Sequence, residues 1–369
     1  MAEVKRCARC ILPESYPGLV FDESGICNRC REHEGKLTKI DFKKSERVVE
    51  TFFERAKRKN RKYDCVIGLS GGKDSSYAAQ ICVEKFGLNP LCVNFNNGFQ
   101  SKEASENIRK IIDTLNVDYI SFKPNGDLMK RIYRHFLFTT GEFCTPCNVG
   151  INSFVYNMAK KYNAPLVISG TSPFTDSYSG IDLYHVSPEY FENVVNGHFS
   201  KSEMKDFLHS KTFARGVSHL TGRIKYIQLP RYIKWDEREM IRILNEKTGW
   251  NIESKISTEH TDCIASPFKE YLRICEFGFS EKTQKFSALI RNGYMSREEA
   301  LEKAELFESE IKEDKSGKMH RIMDMLDLSE EDVSRAILKR QGPYIPKAAR
   351  MLDAGMNNDL LMKTIFYQD

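Results

Sequence analysis

No run of apolar residues in this 369-residue sequence is long enough to cross a bilayer as a helix, so insertion into a membrane is not expected. The N-terminal MAEVKRCARC also lacks the apolar core of a signal peptide. Secretion is therefore not expected, and the chain reads as cytoplasmic. Internal repeats and low-complexity segments are missing too. These absences change the meaning of eleven cysteines. Disulfides rarely persist in a reducing compartment, so clustered cysteines point to metal binding or catalysis.

The net charge of +5 is uneven: residues 1–62 carry +6 and the remainder −1. The excess includes RAKRKNRK (55–62), a run that nucleic acid could attract. Val48, Val49, Phe52, Phe53 and Ala56 lie at helical spacing just before and within it. The run therefore reads better as the solvated end of an amphipathic helix. With so modest a global charge, a nucleic-acid partner is not expected.

Length and pattern divide the chain into three. Residues 1–40 are rich in Cys, Pro and Gly and too short for a core of their own. Residues 41–264 alternate β-type runs (YDCVIGLS, PLCVNFNN, VDYISFKP, APLVISGT, IKYIQLP) with helical patterns, the mark of a parallel sheet with crossover helices. Within them, 173–223 lacks a period and reads as an insertion that helps form a substrate pocket. Residues 265–369 read as helical, with capping-box patterns at Ser296/Glu299 and Ser329/Asp332.

VIGLSGGKDSSYAAQ (66–80) places a strand, a turn and a helix in succession. Gly71 and Gly72 let main chain approach an anion, and the amides of the following helix start face phosphate oxygens. Ser70, Ser75 and Ser76 add hydroxyls and Lys73 a cation. Asp74 repels phosphate directly, so its expected role is to hold Mg²⁺ bridging the phosphates. The spacing is neither Walker A nor G-x-G-x-x-G. It resembles the PP-loop of the N-type ATP pyrophosphatases, an α/β fold of the adenine nucleotide α-hydrolase kind. These enzymes split ATP between its α and β phosphates and adenylate a carbonyl oxygen. On that resemblance, Asn97 and Gly98 fall in the adenine-contacting segment, where many relatives have His-Gly, and Gly170, Thr171 and Asp176 fall in the later strand-end motif.

Two cysteine groups stand out. Cys7, Cys10, Cys27 and Cys30 form two C-x-x-C pairs 16 residues apart, the spacing of a closed, structural, ribbon-type zinc site. Cys144 and Cys147 lie just before a helix, and Cys263 follows His260 and Asp262. This trio is either a metal site at the active face or a set of partly buried thiols. It is similar to the C-x-x-C plus distant Cys that holds a [4Fe–4S] cluster in tRNA-thiolating PP-loop enzymes. Cys65, Cys82, Cys92 and Cys275 read as core.

CARCILPESYPGLVFDESGICNRC, then SGGKDSS, then FCTPCNVGI, then HTDC: in that order the sequence resembles the N-acetyl sugar amidotransferase family of bacterial surface-polysaccharide biosynthesis. The resemblance implies an AMP-forming enzyme that uses ATP, Mg²⁺ and Zn²⁺, with a [4Fe–4S] cluster as a further candidate. It would activate the acetamido oxygen of a nucleotide-sugar and replace it with ammonia-derived nitrogen. Lys73, Asp74, Cys144, Cys147, Asp262 and Cys263 are the candidate catalytic residues. The resemblance also implies partner subunits, a glutaminase and a cyclase-like protein, that supply ammonia. A tRNA-thiolating enzyme of the same superfamily is the alternative.

Overall fold

The computed structural model describes residues 4–33, 41–172, 188–204, 223–251, 262–314 and 317–339. Asp176 and His260, and most of the expected insertion, lie outside these residues. Five strands, β1 (Cys65–Gly68), β2 (Pro90–Phe95), β3 (Asp118–Phe122), β4 (Leu166–Ser169) and β5 (Lys225–Gln228), form one sheet in the order β3-β2-β1-β4-β5. Every pairing is parallel. The order reverses between β1 and β4, so the loops after these strands diverge and leave a crevice at their C-terminal ends.

The helices are α1 (Asn28–His33), α2 (Phe42–Arg58), α3 (Lys73–Glu84), α4 (Lys102–Leu115), α5 (Gly126–Thr140), α6 (Thr145–Lys161), α7 (Pro188–Val195) and α8 (Glu237–Thr248). They are followed by α9 (Ser266–Phe277), α10 (Glu281–Arg291), α11 (Arg297–Glu313), α12 (Lys318–Met325) and α13 (Glu330–Lys339). Alternation along β1 explains the layering. Cys65, Ile67 and Leu69 pack with α2, α3, α4 and α8 through Val49, Phe53, Ala79, Ile111 and Leu244. Val66 points the other way, with Leu91, Val93 and Val167, onto Ala159 of α6. Burying each of the Val, Leu, Ile and Phe side chains among them is worth about 1.5–3 kcal/mol. Helix α2 is amphipathic as expected: Val49, Phe53 and Ala56 are buried, and its last turn carries Arg55, Lys57 and Arg58.

The C-terminal helices share a core with the rest of the chain. Phe268, Phe277, Phe279 and Ile322 cluster with Phe99 after β2, Phe136 on α5 and the N-terminal cysteines. Both expected caps form. Ser296 Oγ accepts from the Glu299 amide at 3.1 Å. The Ser329 pair is the fully reciprocal one: its hydroxyl accepts from Asp332 N at 3.1 Å, and Asp332 Oδ2 accepts from Ser329 N at 3.0 Å. The buried carboxylate of Glu308 on α11 caps α10, accepting from Ser280 N at 2.8 Å and Thr283 Oγ1 at 2.6 Å. The dipole at that helix start favours its charge.

One core assignment is corrected. Cys65, Cys82 and Cys92 are buried, but Cys275 is exposed. Helix α9 buries Phe268, Leu272, Ile274 and Phe277, and Cys275 falls on its other side, which local apolar composition does not reveal. Among the described residues, no helix is long and apolar enough to cross a membrane.

Candidate functional site

The loop between β1 and α3 is tied from within and from below. Ser75 Oγ accepts from Ser70 N and donates to the Gly72 carbonyl, both at 3.1 Å, while Ser70 Oγ accepts from Gly72 N at 3.3 Å. Asn94 Nδ2 holds the Leu69 carbonyl at 3.0 Å. Gly71 has φ +85°, and a Cβ there would lie 2.3 Å from the Ala104 carbonyl oxygen. Only glycine meets both conditions. Gly170, after β4, is needed for close approach: its Cβ would sit 2.3 Å from the Asp74 carbonyl oxygen. Beside it, Ser169 Oγ donates to Thr171 Oγ1 at 2.9 Å. Ser76, one turn into α3, is fully buried, and its hydroxyl has no hydrogen-bond partner.

Asp74 is the half-open group of the loop, its side chain 41% exposed. Lys73 Nζ donates to Oδ2 at 2.8 Å and the Trp235 indole to Oδ1 at 2.8 Å. Burial would raise its pKa, but Lys73, Lys285 and Trp235 hold the carboxyl below its ordinary value. It therefore meets an incoming ligand ionised, with lone pairs left on both oxygens, as a Mg²⁺ ligand requires. Lys73 is 7% exposed and also lies 3.9 Å from Glu237.

The segment 262–264 folds back onto the loop after β2. Ser101 N donates to the Asp262 carbonyl at 3.0 Å, Ile264 N to the Phe99 carbonyl at 2.8 Å, and Gln100 bridges Cys263. This places Asp262 against the phosphate loop: a Cβ on Gly72 would meet its Oδ2 at 3.2 Å. Cys263 thereby joins Cys144, the N-cap of α6, and Cys147 in its first turn. Asn97 Nδ2 donates to Cys147 Sγ at 2.9 Å, while Gly98 turns the chain with φ +90°. Burial pushes Cys147 and Cys263 up to about 12 and raises Cys144 as well. Each thiol keeps its proton at neutral pH until a cation replaces it.

The Lys269 side chain is 27% exposed. Burial would lower its pKa, but the carboxylates of Glu281 and Glu270 raise it. Its ammonium donates to Glu281. Glu281 and Lys285 are four apart on α10 and so share a face. The first is close enough to act on Cys144 and the second on Asp74. Helix α10 therefore borders both the cysteine trio and the phosphate loop, and the space it borders is termed the recess.

The N-terminal cysteines are fully buried and converge. Cys7 and Cys30 sulfurs are 3.9 Å apart, Cys10 and Cys27 3.8 Å, and all four lie within 4.8 Å of one another. A tetrahedron with bonds of about 2.3 Å has edges of about 3.8 Å, so the set fits one metal ion. Among the described residues this is the only group of three or more Cys, His, Asp or Glu that converges so closely. The trio at 144, 147 and 263 is gathered in one place, but not to the spacing of a single ion.

Sequence reasoning missed Trp235, Trp250, Lys269, Glu281 and Lys285. The two tryptophans are the only ones in the chain, and both indoles donate to the phosphate loop: Trp235 to Asp74, and Trp250 to the Gly71 carbonyl at 2.8 Å. A buried indole N–H needs a partner, which was the available signal. Trp250→Phe is expected to cost about 1–3 kcal/mol, because the Gly71 carbonyl loses its donor. Urea unfolding measures it, and an unchanged midpoint would show that this bond does not hold the loop.

Comparison with known proteins finds two matched regions. Residues 46–181 match the NAD synthase family model. Residues 228–351 match the model described as LPS biosynthesis protein WbpG-like, C-terminal domain. The chain thus joins a region similar to NAD synthase to one similar to the WbpG-like C-terminal domain. An uncharacterized protein of Methanocaldococcus jannaschii, MJ1599, is 26% identical over 308 residues, covering 81% of this chain and 93% of that protein. Among solved structures, NMN synthetase from Francisella tularensis aligns with a TM-score of 0.37 and 15% identity, over 79% of this chain and 98% of that one. The U34-tRNA thiolase NcsA from Methanococcus maripaludis, with its [4Fe–4S] cluster, aligns at 0.35 and 17%, over 79% and 87%. At such scores neither alignment bears on substrate.

Proposed function

We propose that this chain is an ATP-dependent, AMP-forming amidotransferase of surface-polysaccharide biosynthesis, acting on the acetamido group of an N-acetylated nucleotide-sugar. The observation that carries the reading is the meeting of two regions in one recess. A nucleotide-binding loop with an ionised Asp74 faces a helix of the WbpG-like domain that carries Glu281 and Lys285.

The chemistry needs an activated oxygen. The acetamido oxygen attacks the α-phosphorus of ATP and pyrophosphate leaves. Ammonia then attacks the imidate carbon, and AMP departs with the oxygen, leaving an acetamidino group. Asp74 would hold Mg²⁺, which offsets charge on the phosphates. The amides of the Ser70–Gly72 loop and the start of α3 would orient those phosphates. Asp262, against Gly72, and Lys269 with Glu281 would face the acceptor and manage its protons. The recess would shelter the imidate from water. Glutaminase and cyclase-like partners would deliver ammonia, and the N-terminal four-cysteine centre would hold Zn²⁺ as a closed site. Cys144, Cys147 and Cys263 suit a cluster larger than a single ion, with Lys269 balancing its charge.

That trio also favours a second reading, sulfur transfer to tRNA, and one assay separates the two. AMP and pyrophosphate release is followed anaerobically with ATP, Mg²⁺ and ammonium, in the presence of acetamido nucleotide-sugars or unmodified tRNA. The expected result is sugar-dependent AMP and a product in which NH has replaced O by mass. AMP formation that requires tRNA and a sulfur donor would overturn the amidotransferase.

A further inference from the structure

Four thiolates around a divalent ion carry a net charge of −2, and here they are wholly buried. A buried charge must be compensated. Three amides do part of this, all directed at Cys7 Sγ: Cys27 N at 3.2 Å, Arg9 N at 3.4 Å and Cys10 N at 3.5 Å. The formal positive charge comes from far away in sequence. Arg291, at the last turn of α10, donates to Cys10 Sγ at 3.9 Å. The same helix closes on the module twice more. Ser287 Oγ accepts from Ile11 N at 3.3 Å, and Ile11 packs on Phe286 together with Ala300 and Ala304 of α11. Arg297, the first residue of α11, donates to the carbonyls of Cys10 at 3.2 Å and Cys7 at 3.4 Å.

Helix α10 therefore has two ends with different tasks. Its first turns bring Glu281 and Lys285 to the recess, and Arg291, about 9 Å further along the axis, meets the metal module. We infer that Arg291 is a positioning residue: by balancing the buried four-cysteine metal centre it holds α10 in place, so that metal occupancy sets the geometry of the recess wall. The inference needs a divalent ion at the four-cysteine site and does not depend on which acceptor the enzyme uses.

The test uses the full chain loaded with zinc, alongside a cobalt(II)-substituted sample. Arg291→Ala is expected to speed zinc release to EDTA by about 10–100-fold, the range for loss of an outer partner of a metal ligand. It is also expected to shift the thiolate-to-cobalt charge-transfer band. Arg291→Lys should restore most of both. In the wild type, zinc removal should change the indole emission of Trp235 and Trp250 and weaken ATP binding, because the wall carrying Lys285 moves from Asp74. Zinc release and cobalt spectra unaltered in Arg291→Ala would overturn the role of Arg291. Metal removal that leaves indole emission and ATP affinity unchanged would overturn the coupling. None of these readouts involves sugar turnover, so failure here is distinct from failure of the proposed reaction.

Discussion

Asp74→Asn is expected to lower AMP formation by about 10²–10³-fold, the loss that follows when a group meeting developing charge is removed. The substitution keeps the shape but not the chemistry. Wild-type Oδ1 and Oδ2 accept from two different donors, Trp235 Nε1 and Lys73 Nζ. An asparagine can accept with one atom only, and its NH₂ must face the other donor. Both the charge that would hold Mg²⁺ and one of the two anchors are lost together. The check is AMP and pyrophosphate production at saturating ATP, with Mg²⁺ titrated. A rate equal to wild type would remove Asp74 from the site. A second readout is acid stability. The folded pKa of Asp74 is depressed, so its contribution is present above the unfolded pKa and is lost as pH falls through the folded value. That loss should be absent from the variant.

Much of this arrangement is legible in sequence because it is local. The apolar run ending at Leu69, the glycines at 71 and 72 and the helix after them lie within one stretch, and each demands the next. The spacing of Cys7, Cys10, Cys27 and Cys30 is likewise local, and the structure closes it. What escapes is contact between elements whose pairing depends on the tertiary path. Nothing near Lys285 in sequence indicates that α10 lies along the crevice, because its neighbours Lys282, Thr283 and Gln284 are polar yet buried. Asp262 reaches the phosphate loop, and Cys263 the other two cysteines, through a backbone bridge to Gln100, a pairing with no side-chain signature. Cys275 escapes for a related reason: composition around a position does not say which face of a helix it occupies. The C-terminal helices read from sequence only as helical, and their pattern does not say that Phe268, Phe277 and Phe279 tie them into the same core as Phe99 and Phe136.

Three glycines allow strain and crowding to be separated in one series. Gly98 has φ +90° with no heavy atom within 4 Å of where a methyl group would sit, so Gly98→Ala should suffer backbone strain alone, about 1–2 kcal/mol. Gly170 has no such φ, but its Cβ would sit 2.3 Å from the Asp74 carbonyl oxygen and 3.1 Å from the Trp235 ring. Gly170→Ala should therefore suffer crowding alone, about 1–3 kcal/mol. Gly71 combines φ +85° with a 2.3 Å approach to the Ala104 carbonyl oxygen, so the two costs should add to about 2–5 kcal/mol. The activities should separate Gly98 from the other two more sharply than the stabilities do. A methyl group on Gly98 would meet nothing, while relief of either other clash displaces the phosphate loop or the first turn of α3. A shift of about 1 Å in a positioned group costs on the order of 10²-fold in rate. Urea unfolding paired with AMP formation tests both rankings. Gly71→Ala as stable and active as Gly98→Ala would mean that α4 yields to the methyl group, and that the phosphate loop is not fixed by its contact with Ala104.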